Sequence, residues 1–180
     1  IKKIAEFPIH VRLATIEDIS KIKQIANKYS KELGFVNRAA LLESIQRKSL
    51  LVADYGDVTC VGFVNYYPRK DGWNTVYEIA THPDYLGFGI GRFLLDSLPG
   101  PIRLKCTVDN PANEFYKKAH FTLVRTEQGR IRKLNVWERR FLYILCQGSS
   151  KVPLTISNTL SVTYGSRHKK SRKNSPSLWT

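Results

Sequence analysis

The segment HPDYLGFGIGRFLL, residues 82–95, places glycines at positions 87, 89 and 91 directly before an apolar run with helical spacing. A strand ending at Thr81, a glycine-rich turn and a helix beginning near Gly91 would direct successive backbone N–H groups at one point. Glycines there permit positive φ and leave no Cβ between the backbone and a ligand. The spacing predicts an anion cradle suited to a pyrophosphate, with a plain structural turn as the alternative. Two common phosphate-loop patterns, GxxxxGK(S/T) and GxGxxG after an N-terminal strand, fit poorly.

The elements that must position this loop follow from periodicity. Apolar residues at helical spacing predict a first helix over 16–33, and Asn37 begins a second, shorter helix. The runs SLLVADY and TCVGFVNYY lie on either side of Gly56-Asp57 and predict an antiparallel hairpin. TVYEIAT predicts a third strand, Thr75–Thr81, which leads into the glycine segment. Beyond it, the sequence predicts a strand in PIRLKCTV, a helix in NPANEFYKKA and a hairpin of FTLVRT with RIRKLNVWE about EQGR.

The predicted order is therefore helix, helix, three strands, helix, strand, helix, two strands. This order predicts an α/β fold whose mixed, mostly antiparallel sheet is flanked by helices, with one parallel step around the glycine-rich helix. Residues 1–140 are predicted to form this domain. Residues 141–180 are predicted to be a basic C-terminal extension or the truncated start of a second domain.

Charge is distributed unevenly along the chain. The sequence holds 29 Lys and Arg against 15 Asp and Glu, a formal net charge of +14, and residues 142–180 contain no acidic residue. The segment GSRHKKSRKNSPS, residues 165–177, combines clustered positive charge with Ser, Gly and Pro, which is typical of a solvated tail or linker. The alternative is an electrostatic contact with nucleic acid.

Composition also bears on location and metal binding. The sequence lacks an apolar run of 18 residues and begins with a polar stretch, which predicts a cytoplasmic protein with no membrane contact. Its three cysteines are widely spaced and form no CxxC pair, which argues against a disulfide framework or a zinc site. We therefore expect no metal. As a separate expectation, the protein is a monomer or homodimer.

Two motifs carry a resemblance to a known family. ATHPDYLGFGIGRFLLDSL resembles the acetyl-CoA pyrophosphate signature of the GCN5-related N-acetyltransferases, the GNAT superfamily, whose pattern is R/Q-x-x-G-x-G/A after the fourth strand. Downstream, NPANEFYKKAHF is similar to the family's N-x-x-A-x-x-F-Y-x-K-x-G-F element. The resemblance covers about Val11–Glu138 and implies the GNAT acyl-CoA N-acyltransferase fold. The sequence departs from the family pattern at Leu86, where Arg or Gln is usual, at Asn113, where Ala is common, and at His120, where Gly is usual.

The resemblance also implies a set of site residues. The backbone of Ile79, Ala80 and Thr81 would line the pantetheine arm of acetyl-CoA by strand-like hydrogen bonding. The pyrophosphate would lie against Leu86, Gly87, Phe88, Gly89, Ile90, Gly91 and Arg92. Asn110 and Asn113 would also contact the cofactor, and Tyr116 would lie close to the thioester sulfur.

Direct attack of an amine on a thioester needs few groups. A base must take a proton from the amine, and an acid can protonate the departing thiolate. We assign the base to Glu78, because its neighbours in VYEIATHP are apolar or aromatic and desolvation raises the pKa of a carboxyl group. We assign the acid to Tyr116. Glu78 could instead only bind the amine, or face solvent. Tyr116 could instead be a core aromatic residue, the role that we expect for Phe115. His82 is the alternative candidate for the base.

The predicted function is that of an N-acetyltransferase, which transfers an acetyl group from acetyl-CoA to an amine by direct attack. An acyltransferase acting on nucleic acid or aminoacylated RNA, and a non-catalytic acyl-CoA-binding module of a larger protein, are the alternatives. In this superfamily the first helical pair and the loop after the third strand frame the acceptor, which here implies KELGFVNRAALLES and YYPRKDGWN. Both segments mix aromatic and basic residues, and this favours an acidic acceptor or a nucleic acid over a polyamine.

Overall fold

The structure, a computed structural model, describes residues 8–140 as a seven-stranded sheet with helices packed on both faces. The strands are β1 (Ile9–Leu13), β2 (Leu50–Tyr55), β3 (Val58–Pro68), β4 (Asn74–Thr81), β5 (Ile102–Thr107), β6 (Thr122–Gln128) and β7 (Lys133–Arg139). The helices are α1 (Ile19–Lys28), α2 (Ser30–Leu33), α3 (Arg38–Gln46), α4 (Ile90–Asp96) and α5 (Ala112–Lys118). Short 3-10 turns at Ile16–Asp18 and Pro83–Tyr85 precede α1 and α4.

The strands lie in the order β1-β2-β3-β4-β5-β7-β6. The β4–β5 pair is parallel, and the other neighbours in the sheet are antiparallel. This arrangement confirms the predicted mixed, mostly antiparallel sheet with its one parallel step. The crossover between the two parallel strands is formed by the glycine loop and α4, so the loop lies at the end of β4.

Each face of the sheet packs against its own group of helices. On one face, α4 and α5 bury their apolar stripes in a core that includes Ile79, Leu104 and Trp137. On the other face, α1 and α3 cover a second core, which contains Phe63 and Ala80. A helical sequence with a single apolar stripe must bury that stripe against another element, and the two faces of the sheet provide the two surfaces.

The predicted element order was wrong at its start, because it contained no strand before the first helix. Residues 9–13 form β1, which pairs antiparallel with β2 from Ile9 opposite Tyr55 to Leu13 opposite Leu51. Its sequence, IHVRL, alternates apolar and polar side chains, which is the period of a strand. β1 is an edge strand with half-buried side chains, and so its signal was weaker than that of the apolar strands β2 and β3.

The first predicted helix is interrupted. The helical segments α1 and α2 are separated at Tyr29, where φ is −119° and ψ is 30°. Tyr29 is fully buried, and its hydroxyl donates a hydrogen bond of 2.7 Å to the carbonyl oxygen of Thr81 at the end of β4. The interruption therefore coincides with a buried contact that links the helical pair to the strand end beside the glycine loop. By contrast, the predicted helix cap at Asn37 is confirmed, since its side chain accepts the N–H of Ala39 at 2.8 Å.

A β-bulge in β4 decides which side chains reach which face. Glu78 pairs with Asn65, but the next pair is Val76 with Tyr66, so Tyr77 is an extra residue on β4. Val76 and Ile79 therefore both lie in the core under α4 and α5, although they are three residues apart. Side chains normally alternate along a strand, but the bulge interrupts this alternation. The two residues between Val76 and Ile79, Tyr77 and Glu78, therefore project together from the opposite face.

The same stretch of β4 also parts from its neighbour. The parallel pairing of β4 with β5 is described from Asn74 with Ile102 to Val76 with Leu104, although β4 continues to Thr81. About half of the backbone N–H and C=O groups between Tyr77 and Thr81 therefore face a gap in the sheet rather than a strand. This gap joins the face covered by α4 and α5 to the face that carries Glu78, and we call the exposed part of the latter, around Tyr77, the open face.

The predicted unit at 141–180 lies outside the described residues. Among the helices of residues 8–140, none has both the length and the apolar character that crossing a bilayer requires.

Candidate functional site

A cavity of about 180 Å³ lies between the end of β4, the glycine loop, the first turn of α4 and one aromatic side chain of α5. It is lined by Ile79, Ala80, Thr81, Tyr85, Leu86, Gly87, Gly89, Ile90, Gly91, Arg92 and Phe115. The structure therefore brings the predicted pantetheine strand and most of the predicted pyrophosphate loop to one place. Phe88, Asn110, Asn113, Glu78 and Tyr116, which the sequence also assigned to the site, do not line this cavity.

The glycine loop leaves its backbone uncovered on one side. Gly87 and Gly89 have φ of +84° and +82°, and a Cβ added at either position would find no atom within 4 Å. Such backbone angles are rare for residues that carry a side chain, and the space in front of the loop is open. Gly91 was predicted to share the open turn with Gly87 and Gly89, but it lies inside α4. A Cβ at Gly91 would come within 3.2 Å of the Phe115 ring. Its absence of a side chain lets α4 and α5 approach each other behind the cavity.

Aromatic contacts fix the loop to the sheet. The ring of Tyr55, at the end of β2, lies 5.8 Å from the ring of Tyr85 and 5.2 Å from that of Phe88, both in edge-on geometry. His82 begins the turn. Its Nδ1 accepts the backbone N–H of Asp84 at 3.3 Å, and its backbone N–H donates to the carbonyl oxygen of Val61 at 2.7 Å. These contacts give His82 a structural role in closing the turn. His82 was the alternative to Glu78 as the base.

Glu78 is half-buried on the opposite face from Ile79, beside the gap between β4 and β5. One of its carboxylate oxygens accepts a hydrogen bond of 2.6 Å from the side-chain amide of Asn65 on β3. Burial raises the pKa of Glu78, and the hydrogen bond from Asn65 opposes part of that rise. A carboxylate with a raised pKa and a fixed orientation is a suitable proton acceptor at neutral pH.

The raised pKa of Glu78 predicts a pH-dependent effect on stability. Because the folded state binds this proton more tightly than the unfolded state, ionising Glu78 destabilises the fold as pH rises from its ordinary pKa of 4.5 through the raised value. Glu78→Gln removes this ionisation and leaves an oxygen for Asn65. We therefore expect Glu78→Gln to be more stable, relative to the parent, at pH 8 than at pH 4, measured as a larger relative free energy of unfolding in urea titrations.

The control for this measurement is Glu114→Gln, which changes an exposed carboxylate on α5. It should show no comparable change between the two pH values. A stability difference for Glu78→Gln that stays constant from pH 4 to pH 8 would mean that the pKa of Glu78 is not raised in the folded protein.

On α5, the structure places Phe115 and Tyr116 differently from the sequence expectation. Phe115 lines the cavity, whereas Tyr116 is only 5% exposed and packs in the core against Phe121 and Trp137, with ring centroids 5.7 and 6.4 Å away. Burial raises the pKa of Tyr116, so its hydroxyl keeps its proton. Positions 112, 115, 116 and 119 all follow the spacing of one helical face, so the sequence pattern did not distinguish Phe115 from Tyr116.

Asn113 is held by a network inside the protein. Its amide nitrogen donates to the carbonyl oxygens of Thr107 and Asn110 at 2.9 and 2.7 Å. Its amide oxygen accepts from the indole of Trp137 at 2.9 Å and from Asn135 at 3.0 Å. Asn110 caps the start of α5 by accepting the N–H of Ala112 at 2.8 Å. A cofactor contact by the Asn113 amide would have to displace one of these bonds.

Metal ligation has no support within the described part of the chain. Residues 8–140 contain no group of three or more His, Cys, Asp or Glu side chains placed to hold an ion.

Several solved structures share this fold. Ard1 from Thermoplasma volcanium is 20% identical, with a TM-score of 0.65 over 75% of this chain and 99% of that one. The yncA protein of Salmonella typhimurium, solved with its cofactor acetyl-CoA, is 17% identical, with a TM-score of 0.58 over 74% and 94% of the two chains. The microcin C7 self-immunity acetyltransferase MccE, solved with acetyl-CoA and AMP, is 16% identical, with a TM-score of 0.62 over 74% and 93%. At these identities the similarity defines the fold.

A family model matches the central part of the sequence. Residues 46–123, from the end of α3 to the start of β6, match the family model described as acetyltransferase (GNAT) domain. With this match and the shared fold, the resemblance to the GNAT superfamily that the two motifs carry is confirmed. No curated protein sequence matched the chain.

Proposed function

We propose that this protein is an acetyl-CoA-dependent N-acetyltransferase that acetylates an amine by direct attack. The observation that carries the proposal is the coincidence of three features: a cavity at the end of β4, an uncovered glycine loop beside it, and a half-buried carboxylate at the gap on the other face. Acetyl-CoA is present in two of the solved structures that share the fold.

The residues of the cavity fit the proposed ligand. Gly87 and Gly89 carry no side chain, and the space around them is open, which suits the close approach of a pyrophosphate to the backbone. The uncovered backbone of residues 77–81 can pair with the amide groups of an extended pantetheine arm, as an added strand would. When bound, acetyl-CoA supplies an activated thioester carbonyl.

The two faces of the sheet would divide the reaction between them. The acceptor would approach Glu78 from the open face, while the thioester reaches the gap from the cavity. The Glu78 carboxylate, oriented by Asn65, would accept the proton that the amine loses. Holding the amine at the gap between the strands would supply the proximity that this reaction needs.

We assign the proton donor for the departing thiolate to Tyr116. This assignment rests on the resemblance to the family, since Tyr116 itself packs in the core and the adjacent Phe115 forms part of the cavity wall. Tyr116→Phe keeps the ring and its packing but removes the donor. We expect turnover to fall by about 100-fold or more with little change in acetyl-CoA affinity, measured by thiol release and calorimetry. Unchanged turnover would leave Tyr116 as a core residue.

The proposal as a whole is tested by two measurements on the parent protein. Calorimetry should detect binding of acetyl-CoA and CoA, and a panel of amines should release free CoA thiol from acetyl-CoA. Acetyl-CoA binding without release by any amine would support the alternative of a non-catalytic acyl-CoA-binding module. A protein that binds neither acetyl-CoA nor CoA would overturn the proposal.

A further inference from the structure

The open face of the sheet carries a group of stacked arginine and tyrosine side chains next to Glu78. The guanidinium carbons of Arg47 and Arg69 each lie 5.0 Å from the ring centroid of Tyr67. Arg69 also lies 5.9 Å from the ring of Tyr77, the bulge residue that directly precedes Glu78. We call these four residues, Arg47, Tyr67, Arg69 and Tyr77, the arginine–tyrosine cluster.

The charge of Arg69 is not balanced by a carboxylate. Its Nε donates to the hydroxyl of Thr75 at 3.3 Å, and its Nη2 donates to the hydroxyl of Tyr77 at 2.5 Å. Both acceptors are neutral, and no ion pair of Arg69 is found within residues 8–140. These two bonds use two of the five N–H donors of a guanidinium. The exposed side chain is therefore held in place by its neighbours while part of its donor set remains available to a ligand.

A second stacked arginine on the same face shows the contrast. Arg103 pairs with Thr75 across the sheet and lies 4.6 Å from the ring centroid of Trp73. Unlike Arg69, it forms ion pairs with Glu138 at 2.7 Å and Asp71 at 3.7 Å. Both arginines therefore stack on an aromatic ring. Within residues 8–140, carboxylates neutralise the charge of Arg103 but not that of Arg69.

Arg47 is a second cation stacked on the same tyrosine ring. Since both guanidinium carbons lie 5.0 Å from one ring centroid, they are separated by at most twice that distance. Arg47 has an ion pair with Glu43 one helical turn earlier, and both of these side chains are exposed. Two like charges held around one tyrosine ring repel each other, and an oxyanion that accepts hydrogen bonds from them would relieve this repulsion.

We propose that the acceptor of this enzyme is an amine that also carries an oxyanion, a carboxylate or a phosphate, and that Arg69, assisted by Arg47, binds this group. The amine in this proposal rests on the proposed function, whereas the oxyanion site rests on the cluster alone. Tyr67 is two residues from Asn65, the partner of Glu78, a separation of about 7 Å along the strand. The oxyanion would therefore be several bonds away from the reacting amine.

The test is an NMR titration of the full chain, alone and saturated with CoA, followed through the arginine Nε–H signals. The probes are two matched pairs, glutamate with glutamine and O-phosphoserine with serine. We expect the member of each pair with the additional oxyanion to bind at least about tenfold more tightly. Arg69→Gln should abolish that preference, and Arg69→Lys should retain part of it, because a lysine keeps the charge but not the planar fork.

The matched control is Lys28→Gln, which removes the same charge from an exposed residue of α1 outside the cluster. It should leave the preference within about twofold if the site depends on geometry rather than on net charge. Equal binding of the two members of each pair, or a preference that survives in Arg69→Gln, would overturn the proposal. The relative affinities of glutamate and O-phosphoserine distinguish a carboxylate from a phosphate as the preferred group.

Failure of the proposed function would have a different signature. In that case the parent protein would bind the charged probes through Arg69 but would release no CoA from acetyl-CoA with any amine. Conversely, a protein that acetylates neutral and anionic amines equally well, with no effect of Arg69→Gln, would retain the proposed function and lose the oxyanion site.

Discussion

Gly89→Val is expected to abolish measurable acetyl-CoA binding while the protein remains folded. A Cβ at this position points into space that contains no protein atom within 4 Å, and the branches of valine would extend into the region where the pyrophosphate is proposed to lie. The expected loss of affinity is at least about 100-fold, or roughly 2.7 kcal/mol, measured by calorimetry. Circular dichroism and thermal unfolding would establish that the variant is folded.

The chain provides a matched control for the strain of this substitution. Gly72, in the turn between β3 and β4, has φ of +83°, and a Cβ there also meets no atom within 4 Å. Gly72→Val should therefore impose a similar backbone cost, about 1–2 kcal/mol, without placing a side chain at the cavity. If Gly89→Val and Gly72→Val bind acetyl-CoA equally well, the glycine loop does not hold the cofactor.

Glu78→Gln is expected to lower turnover by about 100-fold to 10,000-fold, the range typical of removing a positioned general base. Acetyl-CoA affinity should change little, because the Glu78 side chain projects from the face opposite the cavity. In the parent protein, kcat/KM should rise with pH as Glu78 loses its proton, with a midpoint above the ordinary value of 4.5 because burial raises this pKa. The variant should lack this rise.

Glu114→Gln again serves as the control, since it removes one exposed negative charge from α5 and should retain the turnover and pH profile of the parent. The comparison also separates catalysis from simple attraction of the acceptor. If Glu78→Gln raised KM but left kcat unchanged, Glu78 would bind the amine rather than remove its proton.

Much of the fold could be predicted because its signals are local. The hairpin at Gly56-Asp57, the cap at Asn37 and the helix that follows Gly89 each depend on a few adjacent residues whose backbone preferences determine the turn or the cap. His120, at the family's glycine position, adopts a positive φ of 64°. The glycine loop could be predicted for the same reason, since its open backbone requires residues without side chains.

Other features depend on contacts between distant parts of the chain. The edge strand β1 is recognised by its pairing with β2, and the interruption at Tyr29 coincides with its hydrogen bond to Thr81. The placement of β7 between β5 and β6 results from sheet pairing that no short segment specifies. On α5, the prediction treated Phe115 as the core residue, but packing turned Tyr116 inward and left Phe115 at the cavity.

The sequence by itself determined the glycine loop and the strand that leads into it, because glycine spacing and strand periodicity act within a few residues. Only the tertiary structure decided how the candidate site is assembled. The bulge at Tyr77 places Glu78 on the open face, and the divergence of β4 from β5 opens the gap through which the two faces can meet. The physical reason is that a bulge and a strand separation are defined by register with neighbouring strands, which are specified elsewhere in the chain.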